Sequence, residues 1–372
     1  MSTMFKTIHL DAPNISELEK RYVTRALDQG FVSTFGPYVP EFEEKFCHYI
    51  GAQATVAVQS GTAAMHMALH ELGVGPEDEV IVPVLTFIAT VNPIQYLGAQ
   101  PVFVDVDTKT WTMDINQIKL KINKKTKGII VVHLYGHSCN MDAVMELARK
   151  QGLFVIEDAT QSLGSYFQRR HTGTMGDFGV FSFNGNKTIT VGGGGMLAGQ
   201  NKKSIDHIRF LVNQARSDQN GYFHPEIGFN YRMTNLEASL GLAQLERVDD
   251  FLATKKRFSE IYRKELSDIA GLHFQDSFPQ SKDMSWLTNI FLKKRKMEDL
   301  QKGLMKRGVP TRRVFMPLTE FPMYQEQGAK KAFLQAYAIY ESGLTLPGST
   351  LNVPEDILQV CRVIKEELNR EA

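Results

Sequence analysis

The chain has 372 residues, 43% of them hydrophobic and 22% charged, enough for a large core domain and a smaller one. Its 42 basic residues are balanced by 41 acidic ones, so the net charge of +1 offers no global field for nucleic acid or an anionic membrane. Cys47, Cys139 and Cys361 are too scattered for a disulfide framework or a zinc site. Residues 1–13 hold no apolar core of signal-peptide length, and the apolar stretch 80–91 is too short to span a bilayer, so a cytoplasmic protein is expected.

Asn14 reads as the N-cap of a first helix and Glu17 as its capping-box partner, with Leu18, Tyr22 and Ala26 along one side and Gly30 at the stop. A second helix carries Phe42, Phe46 and Ile50 at spacing four, before Gly51. Short apolar runs at 54–58, 79–82, 101–105, 128–132 and 153–157 read as buried strands. Between them lie helical stretches near 62–72, 86–97, 114–122 and 140–151. This alternation requires crossover connections and predicts an α/β fold with a mainly parallel sheet. Residues 178–183 and 195–198 read as later strands, with room for one antiparallel neighbour. Residues 234–266 form a long helical stretch with a domain change near 245. Beyond it, a strand at 286–292, a helix at 297–307 and helices near 330–341 and 354–371 predict a smaller α+β domain. The expected domains are 1–245, including an N-terminal helical arm, and 246–372.

Two residues carry the chemistry. Lys187 sits among small polar residues, after the apolar run 178–183 and before the four glycines Gly192 to Gly195. Asp158 ends the apolar run Leu153-Phe154-Val155-Ile156-Glu157, at the carboxyl end of a predicted parallel strand, where open α/β sheets place ligands. A lysine and an aspartate delivered to one sheet mouth fit pyridoxal 5'-phosphate (PLP), the lysine forming a Schiff base and the aspartate pairing with the pyridinium nitrogen. Gly185-Asn186-Lys187-Thr188 looks like the end of a phosphate loop but fails its spacing. Read alone, Lys187 is also compatible with a surface turn, and Asp158 with a helix cap. His133 and His137 flank Gly136 after a β-rich run, without the helical geometry of a metal pair, so no metal is expected. Ser60-Gly61-Thr62-Ala63 follows a strand and opens a helix, where backbone N–H groups can bind a phosphate or simply be capped.

Five stretches together resemble the sugar aminotransferases of the DegT/DnrJ/EryC1/StrS family, which share the type I PLP-dependent transferase fold. They are Ser60 to Ala64, Pro83 to Thr90, Glu157 to Gln161, Ser182 to Lys187 with the following glycines, and Asn230-Tyr231-Arg232-Met233-Thr234-Asn235. The resemblance implies that Lys187 is the Schiff-base residue and that Asp158 meets the ring nitrogen. It implies Gln161 near the phenolic oxygen, Phe87 stacked on the pyridine ring, and Gly61, Thr62, Ala63 and Ser182 at the phosphate. Asn230 is expected to reach the cofactor of the partner subunit in a homodimer. Arg312 and Arg313 sit where relatives carry a substrate-facing loop, and forked donors suit a nucleotide diphosphate, although many relatives have proline in place of Arg313. The implied reaction moves an amino group from L-glutamate, through pyridoxamine phosphate, to C4 of a nucleotide-linked 4-keto-6-deoxy sugar for surface glycans. A UDP-linked 2-acetamido sugar is the first expectation and GDP-perosamine synthesis the alternative. A 3-dehydratase of the same family is disfavoured by the presence of Lys187, and a PLP-binding regulator without turnover by the intact trio of Lys187, Asp158 and Gln161.

Overall fold

The computed structural model describes residues 7–217, 222–293 and 297–370. Helices α1 (Glu17–Asp28) and α2 (Tyr38–Ile50) lead into an alternating run. In order these are β1 (Ala54–Val58), α3 (Gly61–Glu71), β2 (Glu79–Pro83), α4 (Asn92–Tyr96), β3 (Gln100–Val104), α5 (Ile115–Lys121), β4 (Thr126–Val132), α6 (Met141–Gln151) and β5 (Phe154–Asp158). A hairpin of β6 (Tyr166–Phe167) and β7 (Arg170–His171) precedes β8 (Phe178–Ser182) and β9 (Gly195–Gly199). Helices α7 (Lys202–Val212), α8 (Asn235–Glu246) and α9 (Val248–Glu265) follow.

The seven-stranded sheet has the order β1-β9-β8-β5-β4-β2-β3. Only β9 runs against its neighbours; the pairs β8/β5, β5/β4, β4/β2 and β2/β3 are parallel. Alternate side chains leave opposite faces, and both faces are covered. Ile130 and Val132 of β4 join the core under α3 and α7, whereas Ile129 and Val131 join the one under α6. Burial on both sides is why these strands read as continuous apolar runs. On β8, Gly179 is required by close approach: a Cβ there would lie 1.9 Å from the Gly173 carbonyl oxygen.

The C-terminal part adds β10 (Leu272–Phe274), β11 (Ser281–Lys282), β12 (Asn289–Leu292), α10 (Met297–Lys306), β13 (Arg312–Arg313), α11 (Ala329–Ala332), α12 (Leu334–Ser342), β14 (Gly343–Thr345) and α13 (Pro354–Arg370). Strands β10-β12-β14-β13 form an antiparallel sheet, packed with α9, α10 and α13 around Tyr262, Leu300 and Ile364. The two parts interlock. Ile8 packs into this smaller core, while Val314, Leu318 and Ala336 pack into the larger one.

Four expectations are corrected in detail. The N-cap of α1 is Ser16, boxed with Glu19, rather than Asn14 with Glu17. Glu19 is buried, and its other oxygen accepts bonds from Gln244 and Arg247, which settles the frame. The long stretch after Thr234 is two helices, broken at Arg247. Residues 86–97 hold only a 3-10 turn and the short α4: Phe87 is extended, and Pro93 at the start of α4 lacks an N–H to continue an earlier helix. The strand expected at 286–292 begins only at Asn289, because Trp286 gives its N–H to the Tyr135 carbonyl.

Candidate active site

The carboxyl ends of β1, β5 and β8 open on one cavity of about 240 Å³, far larger than a water-sized void. Ser60, Gly61 and Thr62 at the start of α3 line it, as do Asp158, Gln161, Ser182, Lys187 and Phe87. Gly61 allows the close approach of helix and strand, since a Cβ there would sit 3.1 Å from that of Ser182. Ser60 Oγ accepts the Ala63 N–H at 3.0 Å, and the Ala63 side chain is buried. Ala63 therefore spends its N–H on the helix cap, and Gly61 and Thr62 are the first-turn residues that face the cavity.

Asp158 is fixed by two donors. Thr90 Oγ1 donates to Oδ2 at 2.6 Å, and the Thr160 N–H donates to Oδ1 at 3.1 Å. The local contact to Thr160 is the capping role open from sequence; the contact to Thr90 comes from the loop after β2. Gln161 accepts the Tyr135 N–H through Oε1 at 2.9 Å, which leaves its amide donors as the groups it can offer a ligand. Beneath them Glu157, fully buried, accepts from the N–H groups of Gly173, Met175 and Gly176 and from His133 Nε2. Burial pushes the Glu157 carboxyl up, but the His133 contact and these backbone donors outweigh it and hold the carboxyl below its usual range. His133 Nδ1 accepts the Cys139 N–H, so the ring proton sits on Nε2. His137 faces Asp283 instead.

Lys187 lies in a turn in which its N–H donates to the Asn184 carbonyl at 3.0 Å. Burial lowers the amine from 10.5 to about 8, with Asp158 and Asp11 opposing the shift and Arg312 reinforcing it. Its Nζ lies 4.5 Å from the centroid of the Trp286 ring. Trp286 continues an aromatic stack through Tyr135, 6.3 Å away, to Phe315, a further 5.2 Å. Phe87 tilts against Phe315 at 5.7 Å and is 52% exposed, an aromatic face left at the cavity mouth.

The two arginines part company. Arg312 lines the cavity and donates to Asp11 at 2.8 Å. Arg313 is turned away, bonded to Glu298 and the Tyr340 carbonyl, because adjacent residues of β13 leave opposite faces. Of the two arginines expected at the substrate, Arg312 alone is among the residues lining the cavity. Asn230 is exposed and does not line the cavity of its own chain. Sequence reasoning missed Thr90, Tyr135 and Trp286, and reached Phe315 only as part of a substrate-facing loop. Thr90 lay inside a quoted stretch, and Trp286 is one of only two tryptophans, but nothing local pointed Tyr135 at the site.

A buried carboxylate and a lysine of lowered basicity, meeting at the carboxyl edge of a doubly covered sheet beside a helix N-terminus, define a PLP-dependent transferase of the type I fold. Solved structures agree: a putative sugar aminotransferase from Streptococcus pneumoniae in its PLP form superposes with a TM-score of 0.93 at 26% identity, covering 98% of this chain and 99% of that one. Its PMP form gives 0.92, with coverage of 98% and 100% at the same identity. The model of the DegT/DnrJ/EryC1/StrS aminotransferase family matches residues 13–365, and the chain belongs to that family. It is a PLP-dependent sugar aminotransferase. The chain is 40% identical over 365 residues to the GDP-perosamine synthase of Escherichia coli O157:H7, covering 97% of this chain and 98% of the relative. It is 36% identical over 363 residues to that of Vibrio cholerae, covering 96% and 98%. Among the described residues no helix is long and apolar enough to cross a membrane.

Proposed function

We propose that this aminotransferase moves an amino group from L-glutamate to C4 of a GDP-linked 4-keto-6-deoxy sugar, a precursor of surface glycans. The observation that carries the amino-transfer chemistry is the convergence of Lys187 and Asp158 on one cavity. The nucleotide rests on the relatives. Two GDP-perosamine synthases at 36–40% identity, each covered almost end to end, favour GDP over the UDP sugar expected first.

When bound, PLP supplies an electron sink for the charge left on carbon as a proton is removed. Lys187 Nζ would hold the cofactor and, as a free amine, would move the substrate proton. Asp158, oriented by Thr90 and Thr160, would hold the ring nitrogen protonated. Gly61, Thr62 and Ser182 would hold the phosphate at the helix N-terminus, Gln161 would donate to the phenolic oxygen, and Phe87 would cover the ring. Arg312 receives the anionic part of each substrate in turn.

The working unit is a two-fold dimer in which Asn230 serves the partner's site. Its exposure supports this, as do the neighbouring apolar side chains Tyr222, Phe223 and Ile227, exposed at 85%, 52% and 86%. We place the domain boundary near residue 245, where α8 gives way to α9, and the protein in the cytoplasm.

The test is a two-stage assay. The holoprotein treated with L-glutamate should lose its imine absorbance and release 2-oxoglutarate. The aminated form, offered GDP-, UDP- and dTDP-linked 4-keto-6-deoxy sugars, should regain it fastest with the GDP sugar. Preference for the UDP sugar would restore the first expectation.

A further inference from the structure

Trp286 is held more firmly than its place in a connecting segment requires. Its N–H donates to the Tyr135 carbonyl at 2.9 Å, and its carbonyl accepts Lys255 Nζ at 2.9 Å. The indole Nε1 donates to the Asn186 carbonyl at 2.9 Å, and the ring stacks on Tyr135 with an interplanar angle of 15°. Only 4% of the residue is exposed. Lys255 is itself buried and gives a second bond to the Gly348 carbonyl at 2.8 Å, so the anchor ties α9 to two loops. All of this aims one ring face at Lys187 Nζ, the group 4.5 Å from its centroid. The indole is bonded to the residue immediately before the lysine it faces.

We propose that Trp286 is a positioning residue for Lys187: its ring face receives the amine whenever the cofactor link is open and stabilises the amine in its cationic form. The proposal rests on the Schiff-base reading of Lys187. A lysine that takes a proton from one carbon and delivers it to another carries a positive charge in between. The groups facing that charge are Asp158 on β5, Asp11 on the N-terminal segment, Arg312 on β13 and the Lys255 ammonium behind the indole. The two carboxylates have other work, Asp158 with Thr90 and Thr160, Asp11 with Arg312 and Asn186. An aromatic face adds stabilisation without a further anion that would trap the proton or compete with an anionic substrate.

The experiment compares wild type with Trp286→Phe and Trp286→Leu. The apoprotein is mixed with PLP across a pH series, and the rate of imine formation gives the midpoint of the Lys187 amine. Trp286→Phe keeps an aromatic face but loses the bond to the Asn186 carbonyl and has a weaker face, and the midpoint should fall by a few tenths of a unit; Trp286→Leu should lower it by roughly half a unit to one unit. A ring that serves only as packing predicts no movement, or a rise toward free lysine as water enters with leucine, and either result overturns the proposal. Borohydride trapping on each protein locates the imine. Its absence from Lys187 in wild type would defeat the Schiff-base reading itself, whereas trapping at Lys187 with an unmoved midpoint defeats only the role of Trp286.

Discussion

Replacing Glu157 by glutamine is the most informative single change beneath the site, because it alters charge and donor pattern but hardly any volume. Each carboxylate oxygen accepts two N–H groups: Oε1 from Met175 at 2.6 Å and Gly176 at 2.7 Å, Oε2 from Gly173 at 2.8 Å and His133 at 2.9 Å. An amide group turned either way sets its own N–H₂ against two donors. On the Oε2 side His133 could move its proton to Nδ1, but that nitrogen already accepts the Cys139 N–H. One or two buried donors are therefore left unpaired, at about 1–3 kcal/mol each, so Glu157→Gln should lose roughly 1–6 kcal/mol. The assay is urea denaturation of the apoprotein followed by circular dichroism, with the slope checked for constancy. A loss below about 1 kcal/mol would refute the donor count. The pH dependence gives an independent check. Because the folded carboxyl is held below its usual range, its stabilisation is complete above the unfolded value of about 4.3 and lost as pH falls through the folded one; the glutamine variant should lack that acid limb.

Three further outcomes are expected. Lys187→Ala should fold and take up PLP without an imine absorbance and show no turnover with L-glutamate; normal turnover would remove the assignment. In wild-type apoprotein the rate of imine formation should rise with a midpoint near the lowered value of about 8. The unfolded chain binds the extra proton between there and 10.5, so this amine's own contribution to apoprotein stability rises across that window. A midpoint at the free-lysine value in the same stopped-flow series would contradict the burial of the amine. Thr90→Val removes the 2.6 Å bond to Asp158 with little change of shape. A bond to a charged group is worth about 1.5–3 kcal/mol, so the half-reaction with L-glutamate should slow about 10- to 100-fold, and an unchanged rate would show that Asp158 needs no such support.

The sheet was legible because burial on both faces leaves short apolar runs, and the helices between them announce parallel crossovers. Asp158 and Lys187 were legible for the same reason, as polar residues just past such runs. The first N-cap was not. Asn14 with Glu17 and Ser16 with Glu19 both satisfy a capping box, and the choice is made by Gln244 and Arg247, far along the chain. Trp286 was read as the start of a strand, whereas its N–H goes to Tyr135. Tyr135 itself adopts the left-handed region at φ 55°, a conformation that no local signal announces in a tyrosine and that tertiary packing must impose. For Arg312 and Arg313 the motif pointed to both, but a strand aims only one of two neighbours at a given face.

Lys187 is proposed as the residue that bonds covalently to PLP. Reducing the holoprotein with borohydride and mapping the pyridoxyl group by peptide mass spectrometry tests it directly. A single adduct on Lys187 is expected. Lys255 is buried and also lowered to about 8 by burial, so it is the rival nucleophile the structure itself supplies. An adduct on Lys255, or none on Lys187, would overturn the Schiff-base role of Lys187.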